Sequence, residues 1–261
     1  MDAKRKKLVF HFYTFPNFKE NEAIQIHLKC LKHYHSIFTD AVFVIAVDDI
    51  NDHSLIRETQ EALLDCGFET VSFIVEQNTV FREAKTFYDE VVSKIETLDS
   101  LVFFGHTKGI TNFKNFPGYH ESIKQWIHGL YYLSLNFMGE ATFYLLDAEA
   151  PFFGGMLHLG KEEEPLGYYC GTFFWVNPNS IVVRKTTNGT DYRPNLTGRV
   201  YAERYPMIIS KWNKGWYGLA SHLSRGSYVD DVYKEAPSMI KYLCADEREY
   251  NNFLAFVNSD E

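Results

Sequence analysis

The sequence has no apolar run of the roughly 18 residues that a membrane-spanning helix needs, so no segment reads as one. A secretory leader is not expected either. The basic start Lys4–Lys7 leads into Leu8–Phe15, which contains His11 and stops at Pro16. Cysteine is sparse, and Cys30, Cys66, Cys170 and Cys244 are too widely spaced for a metal or redox motif. They read as reduced thiols of a cytosolic protein, so the sequons Asn188–Thr190 and Asn195–Thr197 are expected to carry no glycan. Excess positive charge is lacking too. A formal net charge of −8 argues against nucleic acid as a partner, because such binders need a basic face. Lys4–Lys7 is the only basic run, and no amphipathic helix follows it, so at most peripheral membrane contact is expected. There is no G-x-G-x-x-G for a dinucleotide fold and no G-x-x-x-x-G-K-[ST] for a P-loop.

Aromatic residues are abundant at 16%, with 17 Tyr and 22 Phe among 261 residues. Rings fill cores, and they also stack on sugars and bases, which mildly favours a carbohydrate or nucleotide ligand. The length suits one large domain or two fused halves.

Short apolar strands alternate with amphipathic helices, the signature of a mostly parallel α/β sheet. Strands are predicted at Lys7–Thr14, Ala41–Val47, Thr70–Val75, Leu101–Phe104, Ala141–Leu146 and Thr172–Val176. Helices are predicted over Glu22–Phe38, from a cap at Ser54 to Gly67, around Ala84–Ile95, around Ile123–Phe137 and over Arg199–Ser210. Ala236–Leu243 and Tyr250–Val257 read as short helices covering the sheet, and Ala148–Tyr169, rich in glycine and proline, reads as a long functional loop. His27, Cys30, His33 and His35 share the first helix but not one face, so they read as packing or solvated residues rather than metal ligands.

The chain is organised around Leu101–Gly109. An apolar strand there ends in His106, Thr107, Lys108 and Gly109, and ligands of open α/β sheets sit beyond the carboxyl ends of strands. Lys108 offers a point charge and Gly109 a close backbone approach, so the four could cradle a phosphorylated ligand. They would also serve as an exposed polar turn. Thr14, Asp48, Asp49 and Asn78 end the preceding strands, which gathers polar residues on one edge.

Phe12–Asn17, Val44–Asp49 and Asn78 before a helix resemble the opening of GT-A glycosyltransferases. Phe104–Gly109, Gly171–Trp175 and Tyr201–Glu203, in this order, resemble bacterial polysaccharide glycosyltransferases of the rhamnan-synthesis type, from capsule and O-antigen clusters. The resemblance covers roughly residues 7–210. It implies a GT-A-like, Rossmann-type fold in one continuous domain: residues 1–110 bind the nucleotide-sugar, 111–220 the acceptor, and 221–261 form a helical tail. It further implies sugar transfer, of the hexosyl class, from a nucleotide-diphosphate sugar to a saccharide or lipid-linked saccharide. The expected compartment is the cytoplasm, including the inner face of the plasma membrane.

One departure from the family is plain. Where GT-A enzymes place Asp-x-Asp for Mn²⁺ or Mg²⁺, this chain has Gly105–Lys108, without a carboxylate for a hard cation. Lys108 would offset the diphosphate in place of a metal, His106 being the alternative, softer ligand. The donor site is expected to comprise Thr14, Asp48, Asp49, Asn78, His106, Thr107, Lys108 and Gly109. For an inverting enzyme Glu203 resembles the base that deprotonates the acceptor, with Asp147 in reserve. Phe174 and Trp175 are expected as an acceptor platform, although a strand so apolar must place at least one of them in the core; Trp212 and Trp216 are weaker counterparts. Two other readings fit the same residues: a sugar- or nucleotide-binding relative without turnover, and a different nucleotide-using α/β enzyme.

Overall fold

A computed structural model describes residues 5–79, 82–110, 112–147, 149–158, 168–169, 172–181, 217–221, 237–238, 240–242, 244 and 246–259. Four strands, β1 (Lys6–Tyr13), β2 (Asp40–Val47), β3 (Val71–Gln77) and β4 (Leu101–His106), lie parallel in the order β3-β2-β1-β4. Parallel neighbours need long crossovers, and helices supply them. These are α1 (Glu22–Tyr34), α2 (His53–Leu64) and α3 (Arg82–Phe87), the last continuing as a π-helical turn over Tyr88–Val92. The order reverses between β1 and β4, so those two strands flank the topological switch point.

β1, β2 and β4 read as nearly continuous apolar runs because both faces are covered, whereas the edge strand β3 alternates. Leu8, Phe10 and Phe12 pack in one layer with α1, α2 and the long helix α5 (His120–Leu135), which follows the short α4 (Asn112–Asn115). Val9, Val42, Val44, Val102 and Phe104 point the other way, into a layer closed by Phe87 and Val91 of the α3 segment. Gly105 is confined by this packing: a Cβ there would approach the Phe10 ring to 3.0 Å and the Phe173 ring to 3.2 Å.

The sheet continues into the second half of the chain. After α6 (Met138–Thr142) come β5 (Phe152–His158), β6 (Tyr168–Tyr169), β7 (Phe174–Val176) and β8 (Tyr217–Ser221). β7 joins β4 antiparallel, β5 joins β7 and β6 antiparallel, and β8 runs parallel to β5. The result is an eight-stranded, mixed α/β sheet, compatible with a Rossmann-like fold.

Three expectations are corrected here. Ala141–Leu146 is not a strand; it lies in α6 and a π-helical segment, Phe143–Asp147. A short apolar run has no period that separates strand from buried helix. The segment read as a long loop contains β5, whose Phe152 and Phe153 are buried between Pro151 and Gly154. The cap of α2 is Asp52, which accepts from the Leu55 N–H at 3.0 Å, rather than Ser54. The final helix, α7 (Glu247–Asn258), forms as expected but packs on other helices. Phe253 meets Tyr132 of α5, and Phe256 meets His33 and Tyr34 of α1. The predicted helix Arg199–Ser210, with Trp212, Trp216 and Cys170, lies outside the described residues. Cys30, Cys66 and Cys244 are buried free thiols. Among the described residues no helix is long and apolar enough to cross a membrane.

Candidate functional site

Polar side chains gather where the parallel strands end. Asp48, just past β2, is exposed, and its carboxylate is held from both sides. The Tyr13 hydroxyl donates to Oδ2 at 2.8 Å, and the Asn78 amide donates to Oδ1 at 3.0 Å. Burial, with the Asp48 hydrogen bond second, pushes the Tyr13 phenol up to about 12, so it keeps its proton and remains a donor. A carboxylate has about four acceptor positions, so two donors fix Asp48 without exhausting it. Asp49 does something else. Its Oδ1 accepts from the Asn51 backbone and side-chain N–H groups at 2.9 and 3.2 Å, a local turn leading into α2. The structure thereby separates two adjacent aspartates: one is a poised acceptor, the other makes a turn.

The His106–Gly109 segment straddles the sheet edge rather than forming one exposed turn. His106 is buried on the α3 side, its Nδ1 3.9 Å from Glu83 Oε1. Thr107 zips β4 to β1: its N–H donates to His11 O at 3.0 Å and its Oγ1 accepts from Tyr13 N–H at 3.0 Å. Lys108 turns to the other face, with Nζ 5.8 Å from the centre of the Trp126 ring, a cation–π distance. Its carbonyl is fixed by His27 Nε2 at 2.8 Å, while His27 Nδ1 meets the Tyr131 hydroxyl at 2.7 Å. A carbonyl only accepts, so Nε2 carries the proton and Nδ1 receives the tyrosine hydrogen. Burial lowers His27 to about 4 and keeps this neutral tautomer.

Gly109 has a structural task. Its φ is +88°, and a Cβ would come within 2.8 Å of Ile127 Cδ1. Gly109→Ala should therefore cost about 2–5 kcal/mol, from about 1–2 for the left-handed backbone and 1–3 for overpacking. Urea unfolding measures this, and a loss below about 1 kcal/mol would show that the turn tolerates a side chain after all.

Beside His106 lies a polar cluster with no motif in the sequence. His11, paired with His106 across β1 and β4, meets Thr86 Oγ1 at 2.8 Å through Nδ1. Thr86 in turn donates to Glu76 Oε1 at 3.2 Å, so His11 Nδ1 is the donor to Thr86. Lys85 completes Glu76 at 2.6 Å and bonds Asp89 at 2.8 Å. Burial drives His11 down to about 4 against the partial opposition of Glu83. The available signal was slight: Glu83 and Thr86 are three apart, hence on one helix face, and His11 interrupts an apolar strand.

Several expected site residues are placed elsewhere. Thr14 is fully buried and bonds Thr59 Oγ1 at 2.9 Å, tying β1 to α2 rather than meeting a ligand. Phe174 and Trp175 are both 0% exposed and enter opposite core layers, so neither offers a ring face as a platform. The Trp175 indole donates to Ser134 O at 2.9 Å, which satisfies its N–H inside the core. Asp147 is exposed, at the end of a π-helical segment instead of a strand. Glu203 lies outside the described residues.

The edge does not fit a hard cation. Among the described residues no three His, Cys, Asp or Glu side chains converge, which leaves Asp48 without companion carboxylates. What the edge offers is a fixed, exposed carboxylate for N–H or O–H donors and a lysine two strands further on. No protein-family profile matches the chain, and neither does any curated protein.

Proposed function

We propose that the protein is a glycosyltransferase that moves a sugar from a nucleotide-diphosphate donor to a saccharide or lipid-linked saccharide in bacterial surface polysaccharide synthesis. The observation that carries this reading is the ordered carboxyl edge around the β1/β4 switch point. Asp48 is preset by Tyr13 and Asn78, and the backbone that carries Lys108 is held by His27. An acceptor carboxylate suits a ribose hydroxyl or a base N–H, and an ammonium two strands along the same edge suits a diphosphate. The reading keeps Asp48, Asn78, Thr107 and Lys108 at the donor and leaves Asp49, Thr14 and Gly109 as framework. Lys108 takes over part of the role that a metal has in GT-A enzymes.

Lys108→Ala tests it, because the backbone carbonyl that His27 holds is unchanged and the fold should survive. Losing one charged partner of a phosphate is worth about 1.5–3 kcal/mol, so affinity should fall roughly 10- to 100-fold. Thermal shifts against UDP-, GDP- and dTDP-linked sugars select the donor, and calorimetry compares the two proteins. Equal affinity in parent and variant would sink the role of Lys108. Donor turnover with and without EDTA then separates a metal-independent enzyme from a metal-dependent one and from a binding module without turnover.

A further inference from the structure

The last helix, α7, buries little of itself. Of its 12 residues only Phe253 and Val257 are buried. It lies across α1 and α5: Phe253 meets Tyr132, and the Phe256 ring meets His33, Tyr34, Tyr132 and His128 at 4.8–6.1 Å between centres. Lys29 Nζ donates to Ser259 O at one end, and the Tyr132 hydroxyl donates to Glu249 O at 3.4 Å near the other. A helix this short is marginal in water without packing, so an undocked α7 would lose its backbone hydrogen bonds.

The seat beneath it opposes docking. Tyr34 and His128 are 4% and 1% exposed, yet Tyr34 Oη and His128 Nε2 have no hydrogen-bond partner among the described residues. Buried polar groups left unpaired destabilise the state that buries them. Both rings pack on Phe256, so lifting α7 would open them to water, which can pair both atoms.

Acid adds to that imbalance. His128 Nδ1 already donates to Lys124 O, so a second proton would go to Nε2, which meets no acceptor. The charges that act on the ring are cations, Lys29 on α1 and Lys124 on α5 itself. His27 on α1 is the titratable ring that feels His128, and α7 presents it with Phe256, while Glu249 of α7 acts on Tyr132 instead. His33, exposed beside Phe256, is lowered by burial and by Lys29, so it titrates in the same sense. Burial lowers His128 to about 4, and an open seat would return it towards 6.5.

We propose that α7 is an acid-released strap: protonation of His128 undocks it from α1 and α5 while the rest of the fold stays closed. The strap lies behind the candidate site, because α1 and α5 carry the His27 and Tyr131 that hold the Lys108 carbonyl.

Hydrogen–deuterium exchange of the full chain at pH 7.5 and 5.5, corrected for intrinsic exchange rates, tests this. Opening that raises His128 from about 4 towards 6.5 should become roughly tenfold more favourable over that step. Amides of Glu247–Asn258 should therefore exchange ahead of those of β1 at both pH values and lose about tenfold of their protection in acid. His128→Leu cannot take the proton, and His128→Gln replaces it with a neutral polar side chain should the leucine variant fail to fold. Either should hold the protection of α7 within about threefold across the step, although β1 still responds through His11 and His27. Equal protection of α7 and β1 at both pH values would mean that α7 opens only with the whole fold, and the strap falls. An acid-insensitive α7 in the parent, or a variant whose α7 responds as the parent's does, overturns it equally.

Discussion

Lowering the pH from 6.5 to 5 is expected to remove several kcal/mol of stability, before most carboxylates begin to titrate. His11, His27 and His128 are all buried, and burial lowers each from 6.5 to about 4. In the unfolded chain the same rings take up protons near 6.5. Between those values the unfolded state binds more protons, so stability rises with pH across the window and is flat above it. At pH 5 each ring would contribute a loss of about 2 kcal/mol, a large share of the usual 5–15 kcal/mol. His128 is the simplest to isolate. Its Nδ1 donates to Lys124 O at 2.9 Å, and its buried Nε2 has no partner among the described residues, so a second proton would meet no acceptor there. Urea midpoints from pH 7.5 to 5 should fall steeply in the parent, and the slope should lessen by about one proton in His128→Leu. A flat parent profile would mean that these rings accept protons without opening the core. Function would follow stability, because a protonated His27 could no longer accept from Tyr131 while holding the Lys108 carbonyl.

The parallel half of the sheet was legible for a physical reason. A strand covered on both faces is apolar almost throughout, so Leu8–Phe12, broken only by His11, Ala41–Val47 and Leu101–Phe104 announce themselves. The site was only partly legible. That strand ends carry ligand groups is a property of the topology, and it pointed to Asp48, Asn78 and Lys108. Which way each end residue faces depends on register and on where the helices land. Thr14 turns to Thr59 on α2, His106 to Glu83 on α3, and Lys108 towards Trp126 on α5. None of those partners is near in sequence. Phe174 and Trp175 misled because an aromatic pair looks the same whether it stacks on a sugar or on neighbouring rings. Here Phe87 and Phe104 flank the first, and Phe38 and Phe103 the second.

Glu203→Gln should separate an enzyme from a binding protein more sharply than any change at the carboxyl edge. If Glu203 takes the acceptor proton in an inverting transfer, glutamine preserves its size and most of its hydrogen bonding but cannot accept that proton. Turnover should then fall by about 10²–10⁴, the usual worth of a positioned base, with donor affinity intact. If Glu203 only pairs with Arg199 or Arg204 on a helix surface, its loss should cost well under about 1 kcal/mol of stability and leave transfer nearly unchanged. The donor identified by thermal shift supplies both measurements on one preparation: calorimetry for binding and product formation for turnover. Normal binding with near-normal transfer would reject Glu203 as the base. Asp147→Asn then becomes the deciding variant, because Asp147 is exposed and asparagine keeps its size while removing the base. If that variant also turns over normally, neither carboxylate is the base, and an inverting mechanism that depends on one of them falls.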